Sequence, residues 1–372
     1  MDYECYASCS FGLEGILAKE IRDLGLGDVR TENALVRFRA DPYGIARANI
    51  ELRTADRVYI VLARFPAKTF DALFEGIKAL PFEEWLPENA AFPTAGNAVQ
   101  STLMSVADIQ SITKKAIVSA LQRRYKTEKF PEHGHRYQIY ANAFQDEFTI
   151  ALNTSGAGLN RRGYRVETVA APLRETLAAA LVLIARWRWR DFYDPMCGGG
   201  TIVIEAAMIA ADIAPGARRS FDAEWFSPEF EEAFAAVRRE VRARERVPEM
   251  GLFASDVDPR CIEAARKNAR AAGVADFIQF AVRDVAEFEE PEKPAAVVSN
   301  PPYAMRIGER QEVDELYRRM GLVFRPLPDT VCFFLTPSPV FERLYGQAAD
   351  KKRKLYNGNV QCWYYQYFRK RH

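Results

Sequence analysis

The sequence lacks most of the features that would settle its class early. Among 372 residues there are six cysteines, Cys5, Cys9, Cys197, Cys261, Cys332 and Cys362, and no two of them form a C-x-x-C pair. That spacing excludes a zinc ribbon or a disulfide framework, so the cysteines read as small buried hydrophobes in a reducing compartment. His133 and His135 flank Gly134 in "KFPEHGHRYQ" with no third ligand nearby, so no metal is expected there. No stretch stays apolar for the roughly 20 residues a spanning helix needs, and the opening "MDYECYASCSFGLEGILAKE" has no basic leader. A soluble, cytoplasmic chain is expected. With 51 Lys and Arg against 50 Asp and Glu there is no overall field, so attraction to a polyanion has to come from local clustering.

What is present is apolar material for more than one core: 48% of the residues are hydrophobic. From 1 to 65 the patterns give strand "YECYAS", helix "GLEGILAKEIRDLG", strand "ALVRFRA", a helix around "YGIARANIELRT" and strand "RVYIVLARF". Leu13, Ile16, Leu17, Ile21 and Leu24 form one stripe of the first helix, and Gly25 is placed to end it. A second α+β unit, 66–165, has a helix near "FDALFEGIKAL", an extended "AFPTAGNAVQS", a long helix "VADIQSITKKAIVSALQRRYK" and two strands, "RYQIYANAF" and "DEFTIALNTS". Here the basic residues cluster: Lys114, Lys115, Arg123, Arg124 and Lys126 along the helix, then Arg161, Arg162 and Arg165 around Tyr164.

The third unit, 166–372, alternates helix and strand from about residue 170. Helix "PLRETLAAALVLIARW" leads to strands "RDFYD", "GLFASDVD", "FIQFAVRD", "AAVVSNPPY" and "TVCFFLT", and "KRKLYNGNVQCWYYQYF" reads as a closing hairpin around Asn357-Gly358. Such alternation predicts an α/β fold with a parallel sheet covered on both faces. Residues 212–248 read as an inserted helical excursion.

In such a sheet the ligand lies beyond the carboxyl ends of the strands. The first end, "DPMCGGGT", offers Asp194 and a turn of glycines ahead of a helix N-terminus. A phosphate is repelled by that carboxylate, whereas the ammonium and sulfonium of S-adenosylmethionine are attracted, and no Walker lysine is present. The second end, "ASDVDP", offers Asp256 for a ribose, with Asp258 and Pro259 reading as a helix start. Asp284 at the third can take an adenine amino group or simply make a turn.

The fourth end is "SNPPY", Asn300, Pro301, Pro302 and Tyr303 among it. A delocalised exocyclic amine is a poor nucleophile, so a methyl transfer to it must hold the nitrogen in line and let it become tetrahedral. An amide oxygen and a proline-fixed carbonyl can accept its hydrogens, and a ring can stack on the base.

At these residues the sequence resembles the bacterial THUMP-domain RNA methyltransferases that act on guanine N2 of large-subunit ribosomal RNA. The resemblance runs through "FGLEGILAKE", "LNRRGYR", "APLRETLAAAL", "DPMCGGGTIVIEAA", "SNPPY" and "KLYNG", in order along nearly the whole chain. One departure is Gly199, where the family usually has Ser or Thr.

The resemblance implies a Rossmann-like S-adenosylmethionine-dependent domain preceded by ferredoxin-like and THUMP α+β domains. It implies that Asp194, Met196, Cys197, Gly198 and Gly200 line the cofactor site, with Asp256 at the ribose and Asp284 at the adenine. Asn300, Pro301, Pro302 and Tyr303 would hold the target amine, and Lys114, Arg161, Arg162 and Arg165 would contact RNA, 23S ribosomal RNA first. A transfer-RNA substrate, a non-catalytic assembly factor and a homodimer all stay open at this point.

Overall fold

The computed structural model describes residues 2–169, 173–187, 190–303 and 310–368. Two seven-stranded sheets carry the chain. The first is built from β1 (Tyr3–Ser8), β2 (Gly27–Glu32), β3 (Leu35–Ala40), β4 (Arg57–Pro66), β5 (Thr94–Val99), β6 (Ile139–Phe144) and β7 (Glu147–Asn153), in the order β2-β3-β1-β4-β7-β6-β5. The units expected over 1–65 and 66–165 therefore share one sheet, joined by the antiparallel pair β4 and β7. Their helices are α1 (Glu14–Asp23), α2 (Pro42–Glu51), α3 (Phe70–Lys78) and α4 (Val106–Tyr125).

Helix α1 buries Leu17, Ala18 and Ile21, and Gly25 follows its end at φ +74°, the left-handed position that favours glycine. Asp41 caps α2 by accepting from the Gly44 N–H, with Pro42 just inside the helix. Strand β2, "GDVRTE", was not expected from the sequence. It is an exposed edge strand with no apolar alternation, formed because its backbone pairs with β3.

The second sheet contains β8 (Asp191–Asp194), β9 (Leu252–Asp256), β10 (Ile278–Val282), β11 (Ala295–Ser299), β12 (Thr330–Thr336), β13 (Lys351–Asn357) and β14 (Val360–Tyr367). Its order is β10-β9-β8-β11-β12-β14-β13: five parallel strands closed by an antiparallel hairpin. The chain leaves central β8 toward β9 and β10, then crosses back to β11 on the other side. The order thus reverses between β8 and β11, where such sheets hold ligands.

Strand β11 is buried along its whole length, as a β-branched run covered on both faces should be. Helices α5 (Glu175–Ala185), α6 (Thr201–Ala210) and α8 (Pro259–Ala272) pack on one face. Helices α9 (Arg310–Phe324) and α10 (Phe341–Tyr345) bury Tyr317, Met320, Phe324, Phe341 and Tyr345 on the other. The expected start of α5 at Pro172 lies outside the described residues. The excursion over 212–248 contains α7 (Pro228–Ala243), which packs on α2 of the first sheet.

Candidate active site

Asp194, Met196, Cys197, Gly198, Asp256, Asp284, Asn300, Pro302 and Tyr303 all line one cavity of about 800 Å³ at the β8–β11 reversal. The structure thus brings together nine residues that the sequence spreads over more than a hundred positions. Gly200 and Pro301 are not among its lining residues. Gly200, at φ +82°, serves the packing instead, since a Cβ there would stand 2.9 Å from the Ala265 Cβ and glycine lets the turn seat against α8.

Asp194, 1% exposed, ends β8. Its Oδ1 accepts from Ser299 Oγ at 2.7 Å, while Oδ2 is buried with no hydrogen-bond partner among the described residues. Burial pushes its carboxyl up to about 7, and the negative Asp256 nearby adds to this; the Ser299 hydroxyl and the Met196 N–H pull the other way. Asp256 accepts the Gly198 N–H at 2.9 Å and the Asp258 N–H at 3.0 Å, tying the end of β9 to the glycine turn after β8. A carboxylate has about four lone-pair sites, so acceptor capacity remains on it. Asp258 caps α8, accepting from the Arg260 N–H ahead of Pro259 at the first position. Asp284 accepts the Ala286 N–H at 2.8 Å and pairs with Arg319 of α9 at 3.6 Å.

Opposite the glycine turn, Asn300 follows β11 directly, and its Oδ1 is buried with no partner among the described residues. The loop that carries it is clamped twice. Tyr317 of α9 donates its hydroxyl to the Pro302 carbonyl at 3.1 Å and shares a 2.8 Å bond with Thr336 Oγ1. Asn357, at the tip of the β13–β14 hairpin, donates Nδ2 to Tyr303 Oη at 3.0 Å. Burial raises the Tyr303 hydroxyl, so it stays a neutral phenol.

The sequence reading missed Ser299, Tyr317, Arg319 and Asn357. It also missed Asn268, which accepts the Val166 and Glu167 N–H groups at 3.0 and 2.9 Å and donates to the Gly199 carbonyl at 3.0 Å. The Val313, Leu316, Tyr317, Met320 and Phe324 spacing carried the signal for α9; nothing local marked Asn268.

The candidate RNA contacts differ in how far they are committed to the protein's interior. Arg162 is a correction: 6% exposed, it donates to the Leu159 and Arg53 carbonyls at 2.5 Å and pairs with buried Glu205 at 3.4 Å. A guanidinium committed inward in this way cannot reach a phosphate. Arg165 is also drawn inward, toward the Leu173 carbonyl at 2.5 Å and Glu175 at 3.2 Å. Lys114 sits 3.5 Å from the Phe92 ring centroid and bonds Glu132 at 2.6 Å, half-exposed. Arg161 is exposed.

Three family descriptions match the chain in order: an RlmL ferredoxin-like domain over 4–59, a THUMP domain over 67–153 and an RMKL-like methyltransferase domain over 162–366. YpsC of Bacillus subtilis (strain 168), a candidate RNA methyltransferase, is 43% identical over 375 residues, 99% of this chain and 96% of that protein. Ribosomal RNA large subunit methyltransferase K/L of Pseudomonas putida (strain W619) is 32% identical over 97% of this chain and 51% of that protein. The chain spans about half the length of its K/L relatives. Among solved structures, SMU.472, a candidate methyltransferase complexed with SAH, is 39% identical with a TM-score of 0.93, over 100% of this chain and 99% of that one.

Proposed function

The chain belongs to the RMKL-like methyltransferase family, and from that premise we propose that it methylates the exocyclic N2 amine of a guanosine in 23S ribosomal RNA, using S-adenosylmethionine. The observation that carries the reading is a pair of buried oxygens without hydrogen-bond partners, Asp194 Oδ2 and Asn300 Oδ1, among the residues of one cavity. Orphaned acceptors in a core cost about 1–3 kcal/mol each, so their retention argues for donors supplied by ligands. An ammonium suits the carboxylate and a planar amine suits the amide oxygen.

These residues fit the cofactor. Asp194 would receive its ammonium, Asp256 its ribose hydroxyls and Asp284 its adenine amino group, while Met196, Cys197 and Gly198 shape the wall. When bound, the cofactor supplies an electrophilic methyl group on a sulfonium centre.

The chain's own work is positioning. Asn300 Oδ1 accepts one hydrogen of the target amine, drawing the nitrogen lone pair out of conjugation. A proline carbonyl of the same loop is the second acceptor in our reading; that of Pro302, which lines the cavity, is oriented by Tyr317 and keeps a second lone pair. Tyr303, fixed by Asn357, stacks on the base, which must be unpaired or flipped to enter. Proximity and preorganised dipoles then lower the barrier. For the wider grip on RNA, exposed Arg161 and half-exposed Lys114 remain the candidate phosphate contacts.

Mass spectrometry of digested ribosomal and transfer RNA from a strain lacking the gene tests the assignment. Loss of one N2-methylguanosine from the large-subunit pool, restored by the wild-type chain but not by Asn300→Ala, is expected. Loss from the transfer-RNA pool instead would move the substrate; loss of N6-methyladenosine would overturn the choice of base.

A further inference from the structure

We propose that Phe11 and Tyr356, with Lys354, form a second RNA subsite on the hairpin whose tip clamps Tyr303, where a nucleotide flanking the target stacks while its phosphate is neutralised. The proposal rests on the RNA reading above. Phe11 is 54% exposed. It sits in the turn between β1 and α1, and its centroid lies 6.4 Å from that of Tyr356 on β13, edge to face. The Lys354 ammonium stands 5.5 Å from the Tyr356 ring centroid.

Two features show that this pairing is built into the fold. Gly12, at φ +89°, lets the turn meet the hairpin: a Cβ there would lie 2.7 Å from the Lys354 carbonyl oxygen. Glu14 then braces the turn, accepting the Gly12 N–H at 2.9 Å and the Ala34 N–H at 3.1 Å. The ring is therefore held out on a fixed turn, with little ordering entropy left to lose on binding.

Its neighbours identify the occupant. One residue beyond Tyr356, at the hairpin tip, Asn357 holds Tyr303 of the cavity, its side chain on the other face of the strand from Tyr356, so the aromatic pair and the target clamp share one hairpin. Of the cations that open the same strand, Lys352 and Lys354 share the Tyr356 face by strand alternation; Lys352 is paired with Glu342 at 2.7 Å, which leaves Lys354 as the cation beside the rings. An exposed ring and a half-exposed one beside a lysine, on the hairpin that holds the target loop, suit a single strand of nucleic acid, by stacking and by phosphate contact.

The test measures methyl transfer to protein-free ribosomal RNA from the deletion strain. Phe11→Ala should lower kcat/KM for RNA about 5- to 150-fold, the range expected for one lost base stack. Its affinity for S-adenosylhomocysteine and its melting temperature should match the wild type, and Phe11→Trp should restore activity. Lys354→Ala should reduce the slope of log affinity against log salt by about one. An active wild type with a Phe11→Ala variant within twofold of it would overturn the subsite alone. A wild type that transfers no methyl group to this RNA would overturn the functional reading, and the subsite with it.

Discussion

A buried carboxyl that stays protonated to about pH 7 can attract a cation only once it has lost its proton. Asp194 is such a group, raised from 3.8 mainly by burial. The sign follows directly. Below about pH 7 the ligand-free protein holds Asp194 neutral, and a bound ammonium must drive the proton off. Affinity for S-adenosylhomocysteine should therefore fall toward tenfold per unit as pH drops below 7, and level off above it. Titration calorimetry from pH 5.5 to 8 measures this, and Asp194→Asn should bind weakly with no such slope. For folding the same shift has the opposite sense. The folded chain holds a proton that the unfolded chain has released, so Asp194's contribution to stability is full below about pH 4 and is lost as pH rises through 7.

Asn300 makes the complementary case. Its oxygen is buried with no structural partner among the described residues of the cavity wall; on our proposal that it accepts from the target amine, Asn300→Ala should cut kcat by about 100- to 1000-fold while cofactor affinity stays within twofold. Turnover near wild type would remove the amide from the reaction. Residues like these were legible because strand ends announce them: an apolar run that stops at Asp194, Asp256 or Asn300 marks a carboxyl edge. Arg161 and Arg162 show the limit. Side by side they look identical, and partners such as Glu205, 43 positions away in the sequence, and the Arg53 carbonyl decide which of them is interior.

At the scale of elements, the loop after β11 owes its position to pieces far along the chain. Helix α9 reaches it through Tyr317 and the C-terminal hairpin through Asn357. Tyr317→Phe keeps the ring in its packed place against Phe341 and removes only the bond to Pro302 and Thr336. We expect kcat to fall about tenfold, with a melting temperature lowered by a few degrees at most, since one buried hydrogen bond contributes about 1 kcal/mol. An unchanged kcat in single-turnover experiments would mean that the prolines hold the loop unaided. The alternation of strand and helix was readable because the strands of the second sheet are short runs rich in aliphatic and aromatic residues set between helical patterns. The edge strand β2 was not, because its side chains are mostly exposed and only its backbone pairing defines it.

Across the whole molecule, one buried polar seam joins the two sheets. Arg162 pairs with Glu205 of α6, Tyr164 donates to the same carboxylate at 3.0 Å, and Arg53 donates to the Ile213 carbonyl at 2.8 Å while its own carbonyl accepts from Arg162. Glu20 accepts the Arg53 N–H at 2.8 Å from within α1. Around this seam runs a single apolar cluster that includes Cys5, Ile45, Ile204 and Tyr364. Two units linked in this way should not unfold separately. Calorimetry on the full chain should show one transition, and two well-separated transitions in the wild type would refute the coupling. Arg162→Met leaves Glu205 charged in a closed interior, which should cost about 3–5 kcal/mol. Replacing both partners, as Arg162→Met with Glu205→Leu, removes that stranded charge and should recover much of the loss. If the double variant is no more stable than the single one, the seam works through packing and not through its charges. A seam of this kind also gives the methyltransferase a fixed span between the N-terminal sheet and the cavity, because neither sheet can rotate without exposing an unpaired ion to its neighbour.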